Sequence, residues 1–316
     1  EPLRRVLGVD IRYESASPAA TRVVFSMTGY TESLVARYES IEGAPRLSAK
    51  VTTPFRAALP ADLQSSKAGV MAPHAASLVM SLMYLCRMTR PDALQQCCDL
   101  SCHLTKWTTL SDSKLQSLFS YIKVTAGMSL VGQVQHGAMA SVKLSAFVDA
   151  DLAGSDTTTR STSGNILYMT AEGTVFPVSW QSRKQTCTAS STAESELVSL
   201  SKMVRDALLP TEIFWTAVLG HDIPSVTRED NSAVLSIISA GFSTALRFVV
   251  KHHRVAIGFL SEVYREQHRK LVHVSSNKQR ADPLTKGLSS LKLTSLLPLL
   301  GLLMPGQQLG EEFFDI

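Results

Sequence analysis

Between Gly132 and Gly137 the spacing of apolar residues changes from a helical period to a two-residue period, so one uniform layer of structure cannot accommodate the whole chain. Upstream, Leu78, Leu82 and Leu85 recur at helix spacing, Pro91 is placed to start a second helix, and Leu115, Leu118 and Ile122 mark a third. Downstream, Val142, Leu144, Ala146 and Val148 alternate with Lys143, Ser145, Phe147 and Asp149, the pattern of a strand whose two faces meet different surroundings. The expected organisation is a mainly helical module over 1–140, an α/β domain over 141–290 and a tail over 291–316.

The helical module opens with two short strands between Leu7 and Met27 around a Ser/Pro turn, followed by a helix from Tyr30 to Tyr38. The α/β domain reads as strands over Val142–Ala150, Gly164–Thr170 and Thr174–Trp180, then a helix from Thr192 to about Leu208. A strand over Ser225–Arg228, helices over Ser232–Ala240 and Val250–Gln267, a strand over Lys270–Ser275 and a final helix complete the order.

Charge narrows the partners little: a net +4 over 316 residues is compatible with a polyanion but does not demonstrate one. The five cysteines form no even framework, so reduced thiols and an intracellular setting, cytoplasmic or nuclear rather than secreted, are expected. Cys97, Cys98, Cys102 and His103 lie in a stretch of helical spacing without a second ligand pair, which argues against zinc. The apolar run Leu291 to Pro305 is broken by Pro298 and Gly301 and is too short to span a bilayer, so a buried or docking segment is expected and no membrane partner. The opening Glu1-Pro2-Leu3-Arg4-Arg5 has neither an initiator methionine nor a signal-peptide core, which suggests a piece of a longer protein.

Four acidic side chains sit where element ends converge, each with an ordinary structural alternative. Asp149 closes an apolar strand, a usual place for active-site groups in α/β sheets and equally for a turn aspartate. Ser191 and Glu194 have capping-box spacing, whereas Glu196 aligns with Leu200, Met203 and Ala207 on the buried helix face and needs a cation, either metal or basic side chain. Asp230 lies between a strand and a helix, where it can serve as an N-cap; its neighbour Glu229 points to the other face. Asp282 precedes Pro283 and can equally cap a helix. Trp180 reads as a core residue rather than a base-stacking platform.

Six blocks in order resemble the ribonuclease H domain of copia-type LTR retrotransposon Pol polyproteins. They are Phe147-Val148-Asp149-Ala150-Asp151-Leu152-Ala153-Gly154, Arg160-Ser161-Thr162-Ser163-Gly164, Ser179-Trp180-Gln181-Ser182-Arg183-Lys184-Gln185, Ser190-Ser191-Thr192-Ala193-Glu194-Ser195-Glu196, Glu229-Asp230-Asn231-Ser232-Ala233 and Ala281-Asp282-Pro283-Leu284-Thr285-Lys286. Upstream, Leu7-Gly8-Val9-Asp10-Ile11, Gly29-Tyr30-Thr31-Glu32-Ser33-Leu34, Ser81-Leu82-Met83-Tyr84-Leu85 and Thr89-Arg90-Pro91-Asp92 resemble the thumb and connection part of the same family's reverse transcriptase. Departures are Leu152 in place of tryptophan, Pro283 in place of an aliphatic residue, and Lys251-His252-His253-Arg254, whose last two residues replace an aliphatic and an acidic one.

The resemblance implies a ribonuclease H-like mixed five-stranded sheet with flanking helices, and an Asp-Glu-Asp-Asp set carried onto Asp149, Glu196, Asp230 and Asp282. These would hold two magnesium ions, with manganese as the alternative, and His252 would be auxiliary. Carboxylates suit such hard cations, whereas cysteine or histidine favours softer ones. The implied activity is hydrolysis of the RNA strand of an RNA:DNA hybrid, in company with the remainder of the reverse transcriptase polyprotein. A hybrid is read by shape and backbone, for which Arg160, Arg183 and Lys184 are candidate phosphate contacts. One alternative is a degenerate remnant that binds nucleic acid without cutting it; an integrase-like strand transferase would be expected to place a glutamate on a helix as its last carboxylate, and Asp282 argues against that.

Overall fold

The computed structural model describes residues 2–60, 62, 67–154 and 159–316. The chain forms two compact units, each discontinuous in sequence: Glu1–Glu14, Val23–Val131 and Lys286–Gly310 in the first, Ser15–Arg22, Gly132–Thr285 and Glu311–Ile316 in the second. These divisions differ from the contiguous boundaries expected at 140 and 290. Periodicity reports only local structure, and long-range packing assigns the hairpin tip Ser15–Arg22 and only the last six residues, Glu311–Ile316, to the second unit.

In the first unit, β1 (Arg5–Val6) pairs antiparallel with β2 (Val9–Ser17), and β3 (Ala20–Ser26) follows. Helices α1 (Thr28–Glu39), α2 (Ala72–Met88), α3 (Leu94–Ser101) and α4 (Thr109–Val124) bury the apolar positions whose spacing predicted them. Tyr38 of α1 stacks on Phe119 of α4 with ring centroids 4.4 Å apart. Pro91 starts a single 3-10 turn, Pro91–Ala93, that leads into α3. The Asp112 carboxylate accepts from the N–H groups of Val70 and Met71 and from Trp107 Nε1, tying the start of α2 to α4.

The second unit is built on a mixed sheet. From β4 (Ser129–Gln135) the chain enters β5 (Lys143–Asp151), β6 (Thr162–Ala171) and β7 (Thr174–Lys184), which form an antiparallel meander with Asp149 opposite Gly164. Helix α5 (Thr192–Met203) continues through a π turn, Val204–Leu208, into α6 (Leu209–Leu219). Strand β8 (Ser225–Glu229) pairs parallel with β5; then come α7 (Ser232–Ala240), α8 (Val249–His253), α9 (Ile257–Arg265) and β9 (Arg269–His273), parallel to β8. The order β7-β6-β5-β8-β9 is the ribonuclease H-like mixed sheet that the resemblance implies. It is not closed at five strands, because Gln133 of β4 pairs with Val175 of β7 and adds to that edge.

Leu144, Ala146 and Val148 of β5 meet Leu197, Leu200 and Met203 of α5, with Val234, Ile238 and Leu260 completing the core. Three expectations are corrected here. The helix from Thr192 does not stop at Leu208: Pro210 has no N–H to donate, and the π turn just before it carries the helix on until Gly220, whose φ of 77° terminates it. A single helix over Val250–Gln267 is instead two, divided at Arg254 with φ 56°. Trp180 is only partly buried on β7.

The expected final helix at Asp282 is one 3-10 turn, Asp282–Leu284; regular structure resumes at α10 (Ser290–Leu296) and β10 (Leu302–Leu303), which pairs with β4 in the first unit. The turn lies against β6 so closely that a Cβ on Gly164 would come 2.6 Å from Thr285 Cγ2 and 2.8 Å from Leu284 Cβ. Gly164→Ala is therefore expected to destabilise the chain by about 1–3 kcal/mol through overpacking, read as a fall in urea midpoint; an unchanged midpoint contradicts the tight seat of this turn.

Candidate active site

Asp149 is the last but two residue of β5 and is 1% exposed, with its backbone carbonyl accepting from Ser199 Oγ at 2.8 Å. Glu196, 3% exposed, is delivered by the first turns of α5, whose start is fixed by Ser191 Oγ accepting from Glu194 N–H at 3.2 Å. Asp230 follows β8 and is partly buried, with Oδ2 accepting from Ser276 Oγ at 2.9 Å. It does not cap α7, since the side chain of Asn231 takes that place by accepting from Ala233 N–H. Carboxylate oxygens of Asp149, Glu196 and Asp230 all lie within 4.8 Å of one another.

Asp282 is 0% exposed and its turn packs on β5 and β6, yet its carboxylate is not a member of that group of three among the described residues. The turn reaches the site through Thr285, whose hydroxyl donates to Asp149 Oδ2 and lies 3.1 Å from the Asp282 carbonyl oxygen. Glu229 is 0% exposed, with Oε1 accepting from Asn231 N–H at 3.1 Å. Burial pushes its carboxyl well above the usual range, and Asp230 and Asp149 push the same way against the Asn231 N–H. Oxygen donors of this kind, close together and largely withdrawn from water, fit a hard divalent cation.

No family model matches the chain. Over 299 residues, 92% of this chain, it is 27% identical to the retrovirus-related Pol polyprotein from transposon RE1 of Arabidopsis thaliana, and over 90% of this chain it is 25% identical to that from transposon TNT 1-94 of Nicotiana tabacum. The relatives it matches over about nine-tenths of its length are copia-type, retrovirus-related Pol polyproteins of plant transposons. It spans 18% and 20% of the lengths of those two relatives. Among solved structures, LC11-RNase H1, isolated from compost by a metagenomic approach, is similar at TM-score 0.33 and 14% identity, over 45% of this chain and 92% of that one.

Of the remaining site residues expected from the sequence, His252, Arg160, Arg183 and Lys184, the last two lie on β7 opposite the start of β6. His252 is exposed and meets the edge of Phe248. Its neighbour His253 is the one turned inward: Nε2 lies 2.9 Å from Glu194 Oε1, with both side chains at most 2% exposed. Glu194 Oε2 in turn accepts from Ser190 N–H at 2.7 Å, so the cap of α5 is held from two sides. Nothing in the spacing of Lys251-His252-His253 separates the two histidines, because the choice depends on the chain reversal at Arg254. Arg160 is exposed, Lys184 partly so, and Arg183 is exposed and 4.0 Å from Asp206. Thr285 also escaped the sequence reading, although it lies three residues beyond Asp282, where a turn brings it back beneath Asp149.

Among the described residues, no helix is long and apolar enough to cross a membrane. The raised Glu229 carboxyl gives a pH test. The folded chain retains a proton there that the unfolded chain has already lost, so stability falls as pH rises from the ordinary carboxylate range through the raised value. Glu229→Gln removes that loss. In metal-free buffer the variant is expected to gain stability over the parent as pH rises above about 5, by at most about 1.4 kcal/mol per pH unit; urea midpoints whose difference stays constant as pH rises contradict the assignment.

Proposed function

We propose that this chain is a metal-dependent endonuclease that hydrolyses the RNA strand of RNA:DNA hybrids during retrotransposon reverse transcription. The observation that carries the reading is the convergence of Asp149, Glu196 and Asp230 within 4.8 Å from three separate elements. Those three would hold one magnesium or manganese ion, and Asp282, whose turn packs on β5 and β6 of the same unit, would complete the site for a second. Bound there, such cations neutralise phosphodiester charge and supply a nucleophile from water at neutral pH.

What the chain itself contributes is placement. Thr285, donating to Asp149 Oδ2, fixes the rotation of that carboxylate, and the capped start of α5 fixes Glu196. Arg160, Arg183 and Lys184 lie on or beside β6 and β7 and would meet backbone phosphates, a contact that positions a duplex without reading its sequence. The first unit would be the thumb and connection part of the reverse transcriptase, and the partner the rest of the polyprotein.

A second reading, a remnant that binds hybrid without cutting it, is favoured by the position of Asp282 outside the group of three. The two are separated by a magnesium-dependent cleavage assay on a labelled hybrid, with parent and Asp149→Asn side by side. The nuclease reading expects cleavage by the parent and a loss of at least about a hundredfold in the variant, as for removal of a group that stabilises reacting charge. Equal rates exclude the role given to Asp149, and binding without cleavage by the parent establishes the remnant.

A further inference from the structure

Arg280 is a 2% exposed cation two residues before Asp282. Its guanidinium lies 5.3 Å from the ring centroid of Phe147, 5.3 Å from that of Tyr168 and 5.7 Å from that of Phe313, and Nη2 donates to the carbonyls of Glu312 at 3.1 Å and Phe313 at 3.0 Å. A buried guanidinium is costly unless ring faces and acceptors replace its water. Here a ring and two carbonyls come from one short segment, Glu311–Phe313, which returns to this unit after Lys286–Gly310 has packed in the other. Phe313 is 1% exposed, so the segment is seated as core rather than resting on the surface.

The residues around Arg280 are bolted to the strand that carries Asp149. Gln279 Nε2 donates to the Val148 carbonyl at 2.9 Å and its Oε1 accepts from Ala281 N–H at 3.2 Å, while Phe147, one wall of the box, is two residues from Asp149. Arg228 lies 5.2 Å from the same Phe147 ring, so a second cation shares the ring and like-charge repulsion adds to what the box must offset. Lys278 and Asp315 form an ion pair at the rim, but both are exposed and it contributes little.

We propose that Glu311–Phe313 is a positioning clamp: by closing the box around Arg280 it fixes the turn from Gln279 to Thr285, and thereby sets the contact of Thr285 with Asp149 and the placement of Asp282. Arg280 and Phe313 are then positioning residues, acting through Thr285 and Asp282. The mechanical part stands on these contacts alone; its consequence for cleavage rests on the nuclease reading.

The two parts are tested separately in the full chain with Phe313→Ala, and with Phe313→Leu as a milder variant that keeps an apolar cover without the ring. Amide hydrogen exchange at Asp282, Leu284 and Thr285, which donate to Gln279, Ala281 and Asp282, is compared with exchange inside α2 of the other unit. The clamp expects exchange at the three amides to rise about tenfold in Phe313→Ala and less in Phe313→Leu, with α2 unchanged. Unchanged exchange at the three amides, or an equal rise in α2, overturns it. In the hybrid assay the clamp expects a higher magnesium concentration for half-maximal cleavage, with the rate largely recovered at saturating metal; a lower rate with the same midpoint overturns the positioning role. A parent that does not cleave removes the nuclease reading, and the exchange comparison still decides the clamp.

Discussion

Three carboxylates within 4.8 Å of one another, two of them almost wholly withdrawn from water, set the electrostatic problem around which the second unit is organised. Like charges so placed repel, and burial removes the solvent that would screen them. The fold offsets part of this with donors: Ser276 to Asp230, Thr285 to Asp149, and Asn231 N–H to the neighbouring Glu229. A divalent cation would offset the remainder while using all three groups at once.

The scaffold explains why these side chains arrive together. Asp149 and Asp230 come from adjacent parallel strands, β5 and β8, at the same end of the sheet, and Glu196 from a helix packed across β5 through Leu197, Leu200 and Met203. Changes to that packing would be felt at the site through element positions rather than contacts. The same logic extends to the turn after Gln279, which is held by side chains reaching into β5 and by the segment Glu311–Phe313, not by a helix of its own.

How much of this was legible in the sequence follows from the range of the forces involved. Strand alternation from Val142 to Val148 and the capping pair Ser191 and Glu194 are local signals, and they positioned Asp149 and Glu196 on their elements correctly. Asp230 was legible as a junction residue, although its capping alternative went to Asn231. The inward turn of His253 instead of His252 was not legible, because it depends on a positive φ at Arg254, nor was the π turn before Pro210, where a helix breaker is absorbed rather than obeyed. The discontinuous units were hidden for the same reason: Phe313 and the hairpin tip are assigned by contacts with residues far away in sequence.

The central claim is that Asp149, Glu196 and Asp230 together hold a divalent cation. Titration of manganese into the metal-free full chain, followed by electron paramagnetic resonance of the free ion, measures this without reference to any substrate. The account predicts saturable binding by the parent that is weakened by at least about tenfold in Asp230→Asn, a loss of one charged ligand worth about 1.4 kcal/mol or more. Equal affinity in parent and variant, or no binding by either, would contradict it.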